Sequence, residues 1–321
     1  MTAPFTQAAA LCGALRKPRQ MLADQKYDGH KSIHDDAMAE GLGLRAGPIE
    51  GPTHFSQFDP LLFRVFGQAW FETGCISAHY QNMVVEGEEV RAFVDLPASS
   101  EEAASARFVR IHAEKRDGTP VLMGTASIGD AGTMPHEIDQ RITRLRPATA
   151  LVIHGDLKVG QRGAVTEKVR MGFDQHMGDH YPFTLADKLA VITEPCAWYT
   201  REQGAASPWG RAIIPIEMIS VLLGSTSGES GLSGRKPAVG LFAGQQIRLI
   251  AGPLFVDQDY ELEREIVALS ESARTESVWI RTRVYDGARA SRSLVAEMIL
   301  NGAVMKASYP AYELEAKALY G

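Results

Sequence analysis

Two short polar clusters carry the residue types that acid–base chemistry needs. In the first, Tyr27-Asp28-Gly29-His30-Lys31-Ser32-Ile33-His34-Asp35-Asp36-Ala37, a carboxylate at Asp28 precedes an imidazole at His34 by six residues. In the second, Gly178-Asp179-His180-Tyr181-Pro182-Phe183-Thr184, Asp179 and His180 stand side by side. A carboxylate and an imidazole that flank one water can take a proton from it and deliver one to a neighbouring carbon. Plainer roles compete. His34 with Asp35 and Asp36 also suits a helix start, and Asp28 and Asp179 beside glycines suit turns in which the side chain accepts backbone hydrogen bonds. His54 is read either as a polar group at a pocket mouth or as a hydrogen-bonded structural histidine. His176 and His180 are four apart but lack a third ligand and a helical pattern, so no metal is expected.

These clusters need elements to hold them, and the elements recur. After Gly51-Pro52-Thr53-His54, apolar positions Phe55, Phe58, Leu62, Val65 and Phe66 have helical spacing, which predicts one long helix over 55–71. Alternating apolar residues then predict strands over 76–85, 88–96, 107–113 and 121–128. The second half repeats the order, with a helix over 215–224 and strands over 246–255, 259–270, 277–285 and 291–300. Asp117-Gly118 and Asp286-Gly287 mark a hairpin at the same place in each copy. Residues 129–147 read as a surface linker, so the boundary falls near Ala148, giving an N-terminal unit over 1–148 and a C-terminal unit over 149–321. The segment 224–240, rich in Gly and Ser, reads as a mobile loop that orders around ligand.

The chain has 321 residues with 45% hydrophobic and 22% charged, enough to bury two ordinary domain cores and too apolar for global disorder. Its formal net charge of −6 removes the basic field on which nucleic-acid binding relies. Cys12, Cys75 and Cys196 are odd in number and have no C-x-x-C spacing, so a reducing cytoplasm is the expected compartment. Met1 to Leu15 is apolar but has no basic residue ahead of the apolar stretch, and it reads as an ordinary N-terminal segment. No apolar run approaches the roughly 18 residues of a membrane span, and no membrane role is expected.

One long helix wrapped by an antiparallel sheet, present twice, is the layout of a double hotdog, an α+β fold in which two sheets join edge to edge. The second cluster resembles the Gly-Asp-x-Asn-Pro-Leu-His signature of MaoC-like enoyl-CoA hydratases and dehydratases. Gly178, Asp179 and Pro182 fall in register, while Tyr181 stands at the Asn position and Thr184 at the His position. Ser207-Pro208-Trp209-Gly210-Arg211-Ala212-Ile213-Ile214-Pro215 resembles that family's glycine-rich approach to the central helix. The first cluster keeps the Ile33-His34 ending, but Asp28 lies six residues ahead where the signature has five, and Lys31 takes the Asn position.

The resemblance implies addition or removal of water across the 2,3 double bond of an acyl thioester, with CoA the expected carrier and no cofactor. His34 would then be proton donor and acceptor, Asp28 its water-activating partner and Asp179 a reserve carboxylate. Gly51 and Gly210 would admit the substrate close to the backbone near a developing oxyanion, and His54, His180 and Trp209 would line the pocket. Arg211, Arg235 and Arg248 are candidates for the CoA phosphates. A homodimer of double-hotdog chains is compatible with this reading. So are two alternatives: a hotdog protein that binds an acyl thioester without hydrating it, and a thioesterase.

Overall fold

The computed structural model describes residues 9–27, 30–96, 106–130, 134–146, 148, 150–287 and 292–320. Its strands are β1 (Ala9–Cys12), β2 (Lys26–Tyr27), β3 (His30–Lys31), β4 (Gly74–Tyr80), β5 (Val90–Leu96), β6 (Phe108–Lys115), β7 (Pro120–Ile128), β8 (Glu167–Val169), β9 (Gly240–Leu249), β10 (Tyr260–Glu271), β11 (Thr275–Asp286) and β12 (Ser293–Met305). Its helices are α1 (Asp36–Gly41), α2 (Asp59–Phe66), α3 (Ala69–Thr73), α4 (Glu137–Arg144), α5 (Leu185–Leu189), α6 (Ile216–Gly224) and α7 (Tyr312–Tyr320), and a 3-10 run over Gly51–Phe58 leads into α2. No described helix is long and apolar enough to cross a membrane.

Ten strands form one antiparallel sheet in the order β1-β5-β6-β7-β4-β9-β12-β11-β10-β8. Two five-stranded meanders therefore meet at β4 and β9, paired from Cys75↔Arg248 to His79↔Gly244. This is the double hotdog expected from the repeat. Burial alternates strictly along β10, the period-two signature of a strand whose alternate side chains enter the core.

The first central helix is not continuous. The chain enters as the 3-10 run, turns α-helical at Asp59 and stops at Gly67, whose φ of +61° cannot continue a helix, before α3 resumes. Phe55, Phe58 and Leu62 are nevertheless fully buried, so the apolar spacing reported the core face correctly while the backbone changed type beneath it. In α6, every residue from Ile216 to Leu223 is buried, as an all-round apolar helix requires. The two central elements pack on each other. Across the halves, the buried Asp59 accepts Trp70 Nε1–H at 2.9 Å and the Tyr199 hydroxyl at 2.8 Å.

The expected linker is also corrected. Residues 137–144 form α4, whose Ile138 is fully buried with Ala268, Trp279 and Ile299, while its backbone N–H donates to Ser77 Oγ at 2.9 Å. His136, just ahead, is held between Thr125 Oγ1 at 3.0 Å and Ser127 Oγ at 3.1 Å. Ile138, Ile142 and Leu145, spaced four and three apart, are an amphipathic stripe hidden among the charges of this segment.

Two outcomes follow from the shared sheet and the shared core. Residues 1–148 and 149–321 expressed separately should each fail to melt cooperatively as a monomer, because each would expose the β4 or β9 edge and one face of its central helix; calorimetry and sedimentation check this. Tyr199→Phe should lower stability by about 1–3 kcal/mol, the cost of removing one donor from a buried carboxyl group, as read by urea unfolding.

Candidate functional site

A cavity of about 800 Å³ opens between the helix-side face of the second meander, the segment around residues 25–51 and the segment 224–240. Its floor is apolar: Val278, Ile280, Met298 and Leu300 alternate along β11 and β12 toward it. The segment 224–240 contributes much of the opposite wall and includes a 3-10 turn over Ser227–Ser230 and the buried Leu232.

Both polar clusters reach this cavity. The Lys26 backbone N–H donates to the Asp179 carbonyl at 3.3 Å, and Gln25 Nε2 donates to the His180 carbonyl at 2.6 Å, so the first cluster lies against the second. His34, Gly51, His54, Asp179 and His180 all line the cavity. Asp28 lies outside the described residues. Trp209 and Gly210 are not among the lining residues. Trp209 packs edge-on to Trp198 and Phe71 and donates to Glu72 at 3.2 Å, and Gly210 stands at an open turn with φ +68°. Thr184, at the signature's His position, caps α5 in a reciprocal capping box with Asp187, which explains a hydroxyl residue there in local structural terms. His176 Nδ1 accepts the Gly178 N–H at 3.2 Å within its own turn.

His34 is set up as a neutral base. Its Nδ1 lies 2.6 Å from the Pro48 carbonyl oxygen. A carbonyl only accepts, so Nδ1 carries the proton and Nε2 keeps its lone pair. Burial pushes the imidazole pKa down to about 4, against a smaller opposing effect of the Pro48 bond. The ring is therefore uncharged at neutral pH. His54, 2% exposed, is pushed down to about 4 by burial and by the charges of Lys188 and Lys115.

The sequence reading passed over a carboxyl group. Glu50 sits at the head of the 3-10 run but does not cap it; its Oε1 accepts the hydroxyl of Tyr181 at 3.2 Å instead. Burial raises its pKa to about 7, outweighing the Lys188 charge and the Tyr181 bond. Glu50, Tyr80 and Tyr181 all line the cavity. Tyr80 packs so tightly over Gly51 that a Cβ there would come within 2.4 Å of its ring. Only glycine fits. The signal for Glu50 was available, since an acidic residue directly before Gly-Pro in an apolar stretch is unusual. Tyr181, which marks a departure from the signature, carries one of the hydrogen bonds that run from one half to the other.

Nearby charges have structural partners. Lys188 and Glu217 form a buried pair at 2.9 Å. Arg264 grips Glu167 with two bonds of 2.7 and 2.8 Å, donates to Thr282 at 3.0 Å and holds the Leu223 carbonyl at the end of α6 at 2.5 Å. At the cavity rim, Arg235 pairs with Asp156 at 3.1 Å and with Glu315 at 2.5 Å. Arg211 lies over the Phe255 ring and donates to Gln258, away from the lining.

No protein-family model matches the sequence, and no curated protein matches it. Solved structures do match, over most of the chain. One is titled a putative MaoC domain protein dehydratase from Chloroflexus aurantiacus J-10-fl, 12% identical, covering 94% of this chain and 95% of that one with a TM-score of 0.57. Another is RV0216 of Mycobacterium tuberculosis, described as having a double hotdog fold, 11% identical, covering 94% and 97% with a TM-score of 0.53. At these identities the likeness is one of architecture, and it agrees with the strand order: the chain has the double-hotdog fold.

Proposed function

We propose that this protein is a MaoC-like hydratase or dehydratase that adds or removes water across the 2,3 double bond of an acyl thioester, with CoA as the carrier. The observation that carries the reading is the neutral His34 imidazole, its Nδ1–H bound to Pro48 and its Nε2 unprotonated, in the same apolar-floored cavity as the weakly acidic Glu50. In the hydration direction His34 Nε2 takes a proton from water as its oxygen bonds to the β-carbon, and a carboxylic acid delivers a proton to the α-carbon. Dehydration runs the same steps backward. Glu50 supplies the carboxylic acid, because a group titrating near 7 is half protonated at neutral pH; Asp179, exposed at the rim, is the competing carboxylate, and Asp28 is kept as the candidate water-activating partner of His34 on sequence grounds alone. The apolar floor receives the acyl chain, and Lys26, Arg235 and Lys236 supply cationic groups for the CoA phosphates. The Chloroflexus neighbour, described as a dehydratase, supports the same reaction class.

His34→Ala should reduce turnover of enoyl-CoA or 3-hydroxyacyl-CoA substrates by about 10²- to 10⁴-fold without unfolding the chain. His112→Ala should change it little, since His112 lies on β6 stacked on Phe93 at 4.7 Å. If Asp179→Asn abolishes activity while His34→Ala keeps it, the working site belongs to the second cluster. A wild-type chain that binds but does not convert any thioester in the panel would leave the binding-protein reading in its place.

The pH profile provides a second check. His34 must be unprotonated to accept a proton, so kcat/KM should rise as pH rises through about 4. Glu50 must be protonated to donate one, so kcat/KM should fall again as pH rises through about 7. Glu50→Gln should lower the rate and abolish the upper limb; an upper limb that survives would exclude Glu50 as the acid.

A further inference from the structure

His154 is a further imidazole on the cavity wall, contributed by the second half of the chain and unused by the chemistry above. It is 2% exposed, yet neither Nδ1 nor Nε2 has a hydrogen-bond partner among the described residues. The nearest acid is not available to it. Glu276 is saturated by the backbone N–H groups of Val152, Ile153 and His154 at 2.8, 2.9 and 3.0 Å, and these bonds fix the main chain beneath the ring. The other side is closed by Gly234, where a Cβ would lie 2.5 Å from Nδ1, so the loop backbone presses directly on the imidazole. With Nδ1 covered by that backbone, a buried imidazole held this firmly is costly unless something entering the cavity meets Nε2.

The position along the cavity is also informative. Tyr181 and Glu50 lie by the end of α6, where the Tyr181 hydroxyl abuts Gly224. Arg264 ties that end to Thr282, whose register partner on β12 is Met298. Val304, further along β12, packs instead with Val152 and Ile153, the residues before His154. Met298 and Val304 both line the cavity, and six residues of strand span roughly 20 Å. His154 therefore faces a part of the ligand well removed from Glu50 and Tyr181.

We infer that His154 is a specificity-determining residue that recognises a hydroxyl group on the acyl chain, at a distance from the Glu50–Tyr181 end of the cavity. Burial lowers the pKa of this ring, so it presents one N–H donor and one lone pair. A hydroxyl meets Nε2 in either tautomer, donating to its lone pair or accepting its N–H. A carboxylate only accepts and is met only by the tautomer protonated at Nε2, and a bare alkyl chain would leave that nitrogen unmet.

The inference rests on the acyl-thioester reading for the identity of the ligand, and the experiment separates the two. Calorimetric titration of the full chain would compare dodecanoyl-CoA with a series of its derivatives carrying one hydroxyl at successive positions, alongside the methyl esters of the same acids. One hydroxyl position should bind roughly 10- to 100-fold more tightly than the unsubstituted chain, the range expected when a buried polar group gains or loses its partner. His154→Phe should erase that preference, and His154→Gln, which keeps a donor and an acceptor, should retain part of it. Equal affinity along the whole series, or a preference that survives His154→Phe, would overturn the assignment and leave the ring serving bound solvent. A hydroxyl preference seen among the methyl esters when no CoA ester binds would uphold His154 and defeat the thioester reading. Failure of every ester to bind would defeat both.

Discussion

The antiparallel pairing of β4 with β9 is the constraint on which the rest of this structure depends. It turns two meanders into one sheet and converts what would be two exposed strand edges into interior ladders. It also brings the 3-10 run of one half against α6 of the other. Once the central elements are packed together, the space beside them cannot belong to either half alone. The cavity is accordingly walled by Glu50, His54 and Tyr80 on one side and by Tyr181, Arg264 and Met298 on the other.

Within that enclosed volume, the governing effect is loss of water. His34 and His54 are held neutral and Glu50 holds its proton to higher pH for the same reason: burial penalises the charged form of each. At His34 and Glu50 the local hydrogen bonds oppose the shift without cancelling it, whereas at His54 the charges of Lys188 and Lys115 add to it. Fixed charges are handled differently. Lys188 with Glu217, and Arg264 with Glu167, are each buried as pairs, so that each of these four ions has its counter-charge. Bidentate Arg264 also holds the last turn of α6 to the sheet, which links the strength of a buried ion pair to the shape of the cavity wall.

The architecture was legible in the sequence because it rests on periodicity. Strands over 107–113 and 121–128 correspond to β6 and β7, with the Asp117-Gly118 turn between them at Gly118 φ +84°, and the helical spacing of Phe55, Phe58 and Leu62 marks a face that is buried. What failed was local. Gly67 interrupts a stripe whose apolar spacing alone could not show a change of helix type, and α4 was hidden because three apolar residues among many charges resemble a linker. Of the site, His34, His54, Asp179 and His180 were visible as residue types, and the structure gathers them at one cavity. His154 was not visible, and Glu50 showed only as an acid out of place before Gly-Pro, since the character of both comes from burial and from neighbours more than a hundred residues away, Glu276 and Tyr181. A signature read in one dimension also counts Tyr181 as a loss, whereas in three dimensions it is a contact between the halves.

Helix α4 has a consequence for how chains can meet. Along β11, Val278, Ile280 and Thr282 face the cavity, so Trp279 between them points to the opposite side of the sheet, as the two-residue repeat demands. That is where Ile138 sits, with Trp279, Ala268 and Ile299 beneath it. The back of the sheet is thus already partly roofed by the chain's own backbone. A second molecule laid flat there would meet a charged helix and the ion pairs of Arg281 and Arg283 with Glu297 and Glu265, with the small apolar patch of Trp279, Ala268 and Ile299 already covered.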